Sequence, residues 1–174
     1  LGSGKSFYEI AKQYILAGIE HILIGYDHLL FVLCLILLSK STRTLIYAVT
    51  GFTIAHSITL SLATMNLIKV RTELVELLIA LSIIILAREI LFARKNKLEP
   101  PLSIKFPISI SAFFGFLHGF GFAVVLQELG LPFDMKINAL LFFNIGVEIG
   151  QLIFIGIVLL LSLIHISEPT RPLR

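Results

Sequence analysis

The sequence predicts an all-α, polytopic transmembrane helix bundle, on three observations. Of the 174 residues, 57% are hydrophobic and 14% charged, whereas soluble domains run at roughly 45–50% and 25%. Mean hydropathy is +0.97. The apolar residues gather into about five runs, at roughly 18–38, 44–65, 73–93, 107–128 and 138–163, each near the ~20 residues a helix needs to cross a bilayer. All five are expected to be helical, because backbone polar groups in lipid must be satisfied within the segment. The alternating apolar and polar pattern of a membrane β-barrel is absent.

Residues 1–17 read as an amphipathic lead-in helix suited to the membrane interface, with Phe7, Ile10, Ala11, Tyr14 and Ile15 at helical spacing. The stretch LGSGKSF lacks an initiator methionine and the shape of a signal peptide, so the N-terminus reads as truncated. Residues 18–163 read as a single transmembrane domain with short loops and no internal repeat. The polar tail HISEPTRPLR breaks abruptly from the last apolar run, and residues 164–174 read as artefactual. Lys40, Arg43, Arg94, Lys95, Lys97 and Lys105 fall in the first and third loops; Lys69, Arg71 and Lys136 fall in the second and fourth. The richer side is expected to be cytoplasmic, which puts the N-terminus outside. The net charge of +3 is dispersed in these loops, so the expected partner is the lipid bilayer and not nucleic acid. A homo-oligomer is compatible with the pattern. The lone Cys34 excludes an internal disulfide and a thiolate metal cluster.

Ionisable groups inside the runs carry the functional signal, since each costs at least ~2.5–3.5 kcal/mol at mid-bilayer. In the first run, Glu20 and Asp27 are seven residues apart, as are His21 and His28. On one straight helix they form two adjacent columns, in layers ~10 Å apart along the axis. Gly25 lies beside the imidazole column. An interfacial pair above and a hydrogen-bonded Asp–His pair between helices below would explain the same residues without a ligand. In the second run, Thr53, His56, Ser57 and Thr64 share one face, although such hydroxyls often bond their own backbone. In the fourth, Gly115 and Gly119 form a close-packing G-x-x-x-G motif around His118. In the fifth, Asn144, Glu148 and Gln151 make one narrow stripe, readable as a site or as an interhelical hydrogen-bond ladder. In the third, Glu73 and Glu76 lie near a loop, with Glu76 a second-rank candidate; Arg88 and Glu89 read as interfacial anchors.

Counting in from the loops places Asp27, His28, His56, His118 and Glu148 at similar depth. The candidate metal ligands are therefore His21, Asp27, His28, His56, His118 and Glu148, with Glu20, Ser57, Glu76, Asn144 and Gln151 behind them. Imidazole with carboxylate suits borderline divalent ions such as Ni²⁺, Co²⁺, Zn²⁺ or Cu²⁺. Neither Met65 nor Met135 sits in the middle of a run to favour Cu(I).

The motifs GIEHILIGYDHLLF, GFTIAHSITLSLA, FGFLHGFGFA and FNIGVEIGQL together resemble the HupE/UreJ family of bacterial membrane proteins, in its second branch, over residues 7–163. The resemblance implies a multi-pass protein of the bacterial inner membrane, associated with hydrogenase and urease gene clusters and moving nickel or cobalt. His21, Asp27 and His28 match the family's first-helix motif, with Gly25 in its second half. His118 matches the first histidine of its later HG motif. Two positions depart: Ile22 stands where the better-known branch has proline, and Phe122 where it has a second histidine.

The expected function is a nickel or cobalt permease-like protein with no tightly bound cofactor, the ion being cargo. With no P-loop, transport would be passive or proton-coupled, metal exchanging for ligand protons. The alternatives are an intramembrane zinc-dependent hydrolase using Ser57 beside His56, a haem carrier, and an accessory or structural protein for metalloenzyme maturation. No H-E-x-x-H motif supports the hydrolase.

Overall fold

Ser6 opens the first helix. Its hydroxyl accepts a hydrogen bond from Glu9 N at 3.3 Å, and its own N–H donates to the Glu9 carboxylate at 2.7 Å. This reciprocal pair satisfies two of the N–H groups that a helix start leaves without partners. The computed structural model describes residues 6–95, 100–122, 126 and 135–167. Among these residues there are seven helices and no strand: α1 (Phe7–Ile24), α2 (Tyr26–Leu38), α3 (Thr42–Thr64), α4 (Thr72–Lys95), α5 (Leu102–Lys105), α6 (Pro107–Gly121) and α7 (Lys136–Ser167). Ser41 caps α3 by accepting from Thr44 N, and Pro107 starts α6 where its missing N–H costs nothing.

The first run is not one straight span. α1 and α2 meet at 72°, with Gly25 in extended conformation between them. A Cβ at Gly25 would stand 2.8 Å from the His21 carbonyl oxygen and 3.0 Å from His28 Nδ1. Only glycine permits that approach. The lead-in is not a separate element either: α1 runs unbroken from Phe7 to Ile24. It buries Ile10, Tyr14, Gly18 and Ile22, four residues apart, largely against α7.

Glycine sets both close helix pairs. A Cβ on Gly18 would lie 2.1 Å from Phe143 O, and one on Gly146 2.2 Å from Ile15 O, so the α1 and α7 backbones touch. Gly115 and Gly119 seat α6 on α3 in the same way, against Phe52 O and His56 O.

By length and composition, Thr42–Thr64 and Lys136–Leu163 can each cross a membrane, and the α1–α2 pair makes a third if the bent pair is one span. The third run forms α4, which is long enough but carries Glu73, Glu76, Arg88 and Glu89. The fourth run is helical as α6 over Pro107–Gly121, a shorter apolar helix; most of its remainder, and the tail beyond Ser167, lie outside the described residues. Glu89 accepts a hydrogen bond from Ser103 N at 3.0 Å, so it fastens α5 and is more than an anchor. Large apolar side chains such as Leu77, Ile84 and Leu160 face outward, while His28, His56, Thr59, His118, Asn144 and Gln151 are buried. A membrane location suits this inversion.

The interior holds two apolar cores. One gathers Phe31, Val32, Leu35, Val49, Phe52, Leu86 and Phe114. The other gathers Ile10, Tyr14, Ile22, Leu60, Leu140, Phe143 and Val147. His28 packs on Phe52 of the first core and His21 on Phe143 of the second, so the histidines lie in the seam between them.

Candidate metal centre

Four imidazoles meet in that seam, one each from α1, α2, α3 and α6. The ring centroids of His21 and His28 are 4.6 Å apart, those of His28 and His118 4.9 Å, and those of His28 and His56 6.0 Å. Two overlapping sets place one ligand atom from each member within 4.8 Å of the others: His21, His28 and His56, and Asp27, His28 and His118. His28 belongs to both. His28, His56 and His118 are buried, and His21 and Asp27 partly so.

The neighbours fix which nitrogen faces the centre. The Asn144 Nδ2 group donates to Leu140 O at 2.7 Å, which turns Asn144 Oδ1 toward His56 Nδ1 at 3.3 Å. Oδ1 can only accept, so His56 carries its hydrogen on Nδ1 and keeps a lone pair on Nε2. The His28 Nδ1–H likewise donates to Asp27 Oδ1 at 3.1 Å. Such outer partners orient imidazole ligands in metal sites.

The nitrogens left over have no partner. His21 Nε2, His28 Nε2, His56 Nε2 and both nitrogens of His118 are buried without a hydrogen bond. Each such group costs on the order of 1–3 kcal/mol. A structural histidine would be expected to bond at least one nitrogen; His118 bonds neither.

Aromatic rings close the centre on one side. His118 lies 5.4 Å from Phe31 and 5.1 Å from Phe52, and Phe31 reaches Phe114 at 5.9 Å, centroid to centroid. On the other side His21 meets an open cavity of about 370 Å³ lined by Ala17, Glu20, His21, Ile24, Gly25 and Phe122. The ring of Phe122, at the position where the family resemblance expects a histidine, lies tilted against His21 with centroids 3.7 Å apart.

The structure therefore brings together His21, Asp27, His28, His56 and His118. Glu148 is not in either set. It accepts hydrogen bonds from Thr50 at 2.6 Å and Thr53 at 2.5 Å instead, because the α7 stripe meets α3 in antiparallel register, Asn144 at His56 and Glu148 a turn further on. The two layers expected ~10 Å apart do not form, because the bend folds His21 down onto His28. Glu20 is exposed and only lines the cavity. Glu76 is exposed on α4, away from the centre, and Glu73 pairs with Arg71 at 3.7 Å in solvent. The Ser57 hydroxyl donates to Thr53 O at 2.7 Å, the backbone bond common for serine in membrane helices. Gln151 is wholly buried and meets Thr53 at 2.9 Å. Sequence reasoning passed over Thr50 and Phe122 as site residues. Thr50 was findable, six residues before His56 and a turn before Thr53 on one α3 face.

No curated protein and no solved structure matches the chain. The HupE / UreJ protein family matches residues 3–171. The chain belongs to the HupE/UreJ family, which is linked to nickel or cobalt transport or to metalloenzyme maturation.

Proposed function

We propose that this protein carries Ni²⁺ or Co²⁺ across the bacterial inner membrane by way of His21, His28, His56 and His118. The observation that supports this best is the set of partnerless buried ring nitrogens converging from four helices. Neutral imidazole is the preferred donor for these borderline ions. Asp27 supplies one negative charge beside His28 and offsets part of the charge the ion brings.

The ion enters at the cavity, where Glu20 adds negative charge and His21 offers the first nitrogen. It then passes to His28, which is shared by both ligand sets. Successive weak sites favour transit over trapping. Phe31, Phe52 and Phe114 bar the way beyond, so release requires those rings to move. The zinc hydrolase alternative gains no support from Ser57, whose hydroxyl gives its hydrogen to the backbone while His56 Nδ1 faces Asn144.

The deciding experiment measures cell-associated nickel and cobalt in cells expressing the protein, against His118→Ala and His28→Ala at matched abundance. His118 makes no hydrogen bond through its ring, so its loss removes a ligand without breaking a polar contact. Accumulation should fall at least ~10-fold in both variants, since loss of even an outer partner of a ligand costs ~10–100-fold. Undiminished accumulation in His118→Ala would end this reading.

A further inference from the structure

Glu148 poses a separate problem. It sits near the middle of the apolar segment Lys136–Leu163, and among the described residues no ion pair reaches it. A carboxyl group at that depth needs either a proton or a compensating cation.

The side chains that bond it do so through oxygen. Thr50 Oγ1 lies 2.6 Å from one carboxylate oxygen and Thr53 Oγ1 2.5 Å from the other. Thr53 Oγ1 is also 2.9 Å from Gln151 Oε1 and 3.2 Å from Val49 O. Its single hydrogen thus faces three acceptors. Gln151 is completely buried, and its Nε2 has no partner. Oxygens held this close without enough hydrogens repel each other unless something positive lies among them.

We propose that Glu148, Thr50, Thr53 and Gln151 form a sodium-binding site distinct from the imidazole centre. Hard oxygen donors with no nitrogen or sulfur select a hard cation. One formal negative charge is matched by one monovalent ion. When Na⁺ binds, Thr53 turns its hydrogen to Val49 O, the usual backbone bond for threonine in such helices, and presents its lone pairs to the ion. Thr53 is three residues from His56 on α3, about 4.5 Å of helix rise. If the metal-carrier reading holds, the sodium site is where a coupling ion acts.

The test uses the purified full chain in detergent. Its thermal midpoint is measured in sodium, potassium and choline chloride at equal ionic strength, with no transition metal present. A ligand that binds only the folded state raises the midpoint saturably. Sodium alone should do so in the wild type and in His28→Ala. The shift should vanish in Glu148→Gln and in Thr53→Val, which keeps the side-chain shape if the first variant folds poorly. No sodium-specific shift in the wild type overturns the proposal, as does one that survives in Thr53→Val. The first of those results would mean the Gln151 amide points the other way and closes a complete hydrogen-bond ladder. Failure of metal uptake leaves this measurement untouched, so the two readings fall separately.

Discussion

His21 and His28 stand 4.6 Å apart, ring centroid to ring centroid, across a 72° bend. Seven residues of straight helix would separate them by about 10 Å along the axis. The bend at Gly25 converts two distant layers into one centre.

Gly25→Ala should therefore damage the centre more than the fold. Its methyl group would meet the His21 carbonyl at 2.8 Å and His28 Nδ1 at 3.0 Å, and the His28 ring must swing away from Asp27 to make room. Metal affinity of the purified protein, measured by calorimetry, should drop at least ~10-fold, in the range for lost ligand orientation. Far-ultraviolet helicity should stay unchanged. Wild-type affinity in this variant would mean the bend does not position the ligands.

On the proposed function, Asn144 positions His56 by holding its tautomer. Replacement by leucine removes the acceptor for His56 Nδ1–H and frees the ring to present the wrong nitrogen. Metal affinity should fall ~10–100-fold, while Asn144→Asp, which keeps an oxygen there, should restore much of it. Equal loss in both variants would point to packing and not to the tautomer.

The sequence made the helices legible because hydropathy and length act locally. It also made His21, Asp27, His28, His56 and His118 legible, because an imidazole or carboxylate in lipid is costly enough to demand a reason. The bend was not legible: glycine inside an apolar helix is compatible with a straight span as well as a broken one. That single ambiguity misplaces His21. Glu148 was assigned to the imidazoles on depth alone, and depth says nothing about which face of α7 meets which turn of α3. From sequence Phe122 reads only as a missing ligand; its contact with the His21 ring depends on the tertiary fold.

Phe122→His should add a ligand at the cavity mouth. The ring it replaces lies 3.7 Å from His21, within reach of a shared ion. Nickel should bind more tightly to the purified variant, by ~10-fold or more, and leave more slowly, so that uptake per cell falls even as affinity rises. Unchanged affinity would show that His21 does not face the ion's path.

Ser57→Ala should be silent. The hydroxyl serves only the Thr53 carbonyl, a bond that contributes little to a helix already satisfied. Metal uptake at matched abundance should stay within about twofold of wild type, the scatter expected of an energetically neutral substitution. A complete loss of function would revive the zinc hydrolase reading, in which Ser57 stands beside His56.

The two glycines Gly119 and Gly156 offer a controlled comparison, because the same added methyl group meets opposite surroundings. At Gly119 it would sit 2.1 Å from Thr59 Oγ1 and 2.4 Å from His56 O, pushing α6 off α3. Both helices carry a ligand, so the shift separates His118 from His56. Gly119→Ala should lower the thermal midpoint, at the ~1–3 kcal/mol usual for overpacking, and abolish tight metal binding. At Gly156 the methyl group finds nothing within 4 Å. Gly156→Ala should leave metal binding intact and raise the midpoint, since alanine is favoured over glycine in a helix by ~0.5–1 kcal/mol. Thermal scans and calorimetry on the two variants check both halves. Equal tolerance at the two positions would mean that α3 and α6 do not approach as closely as the metal centre requires.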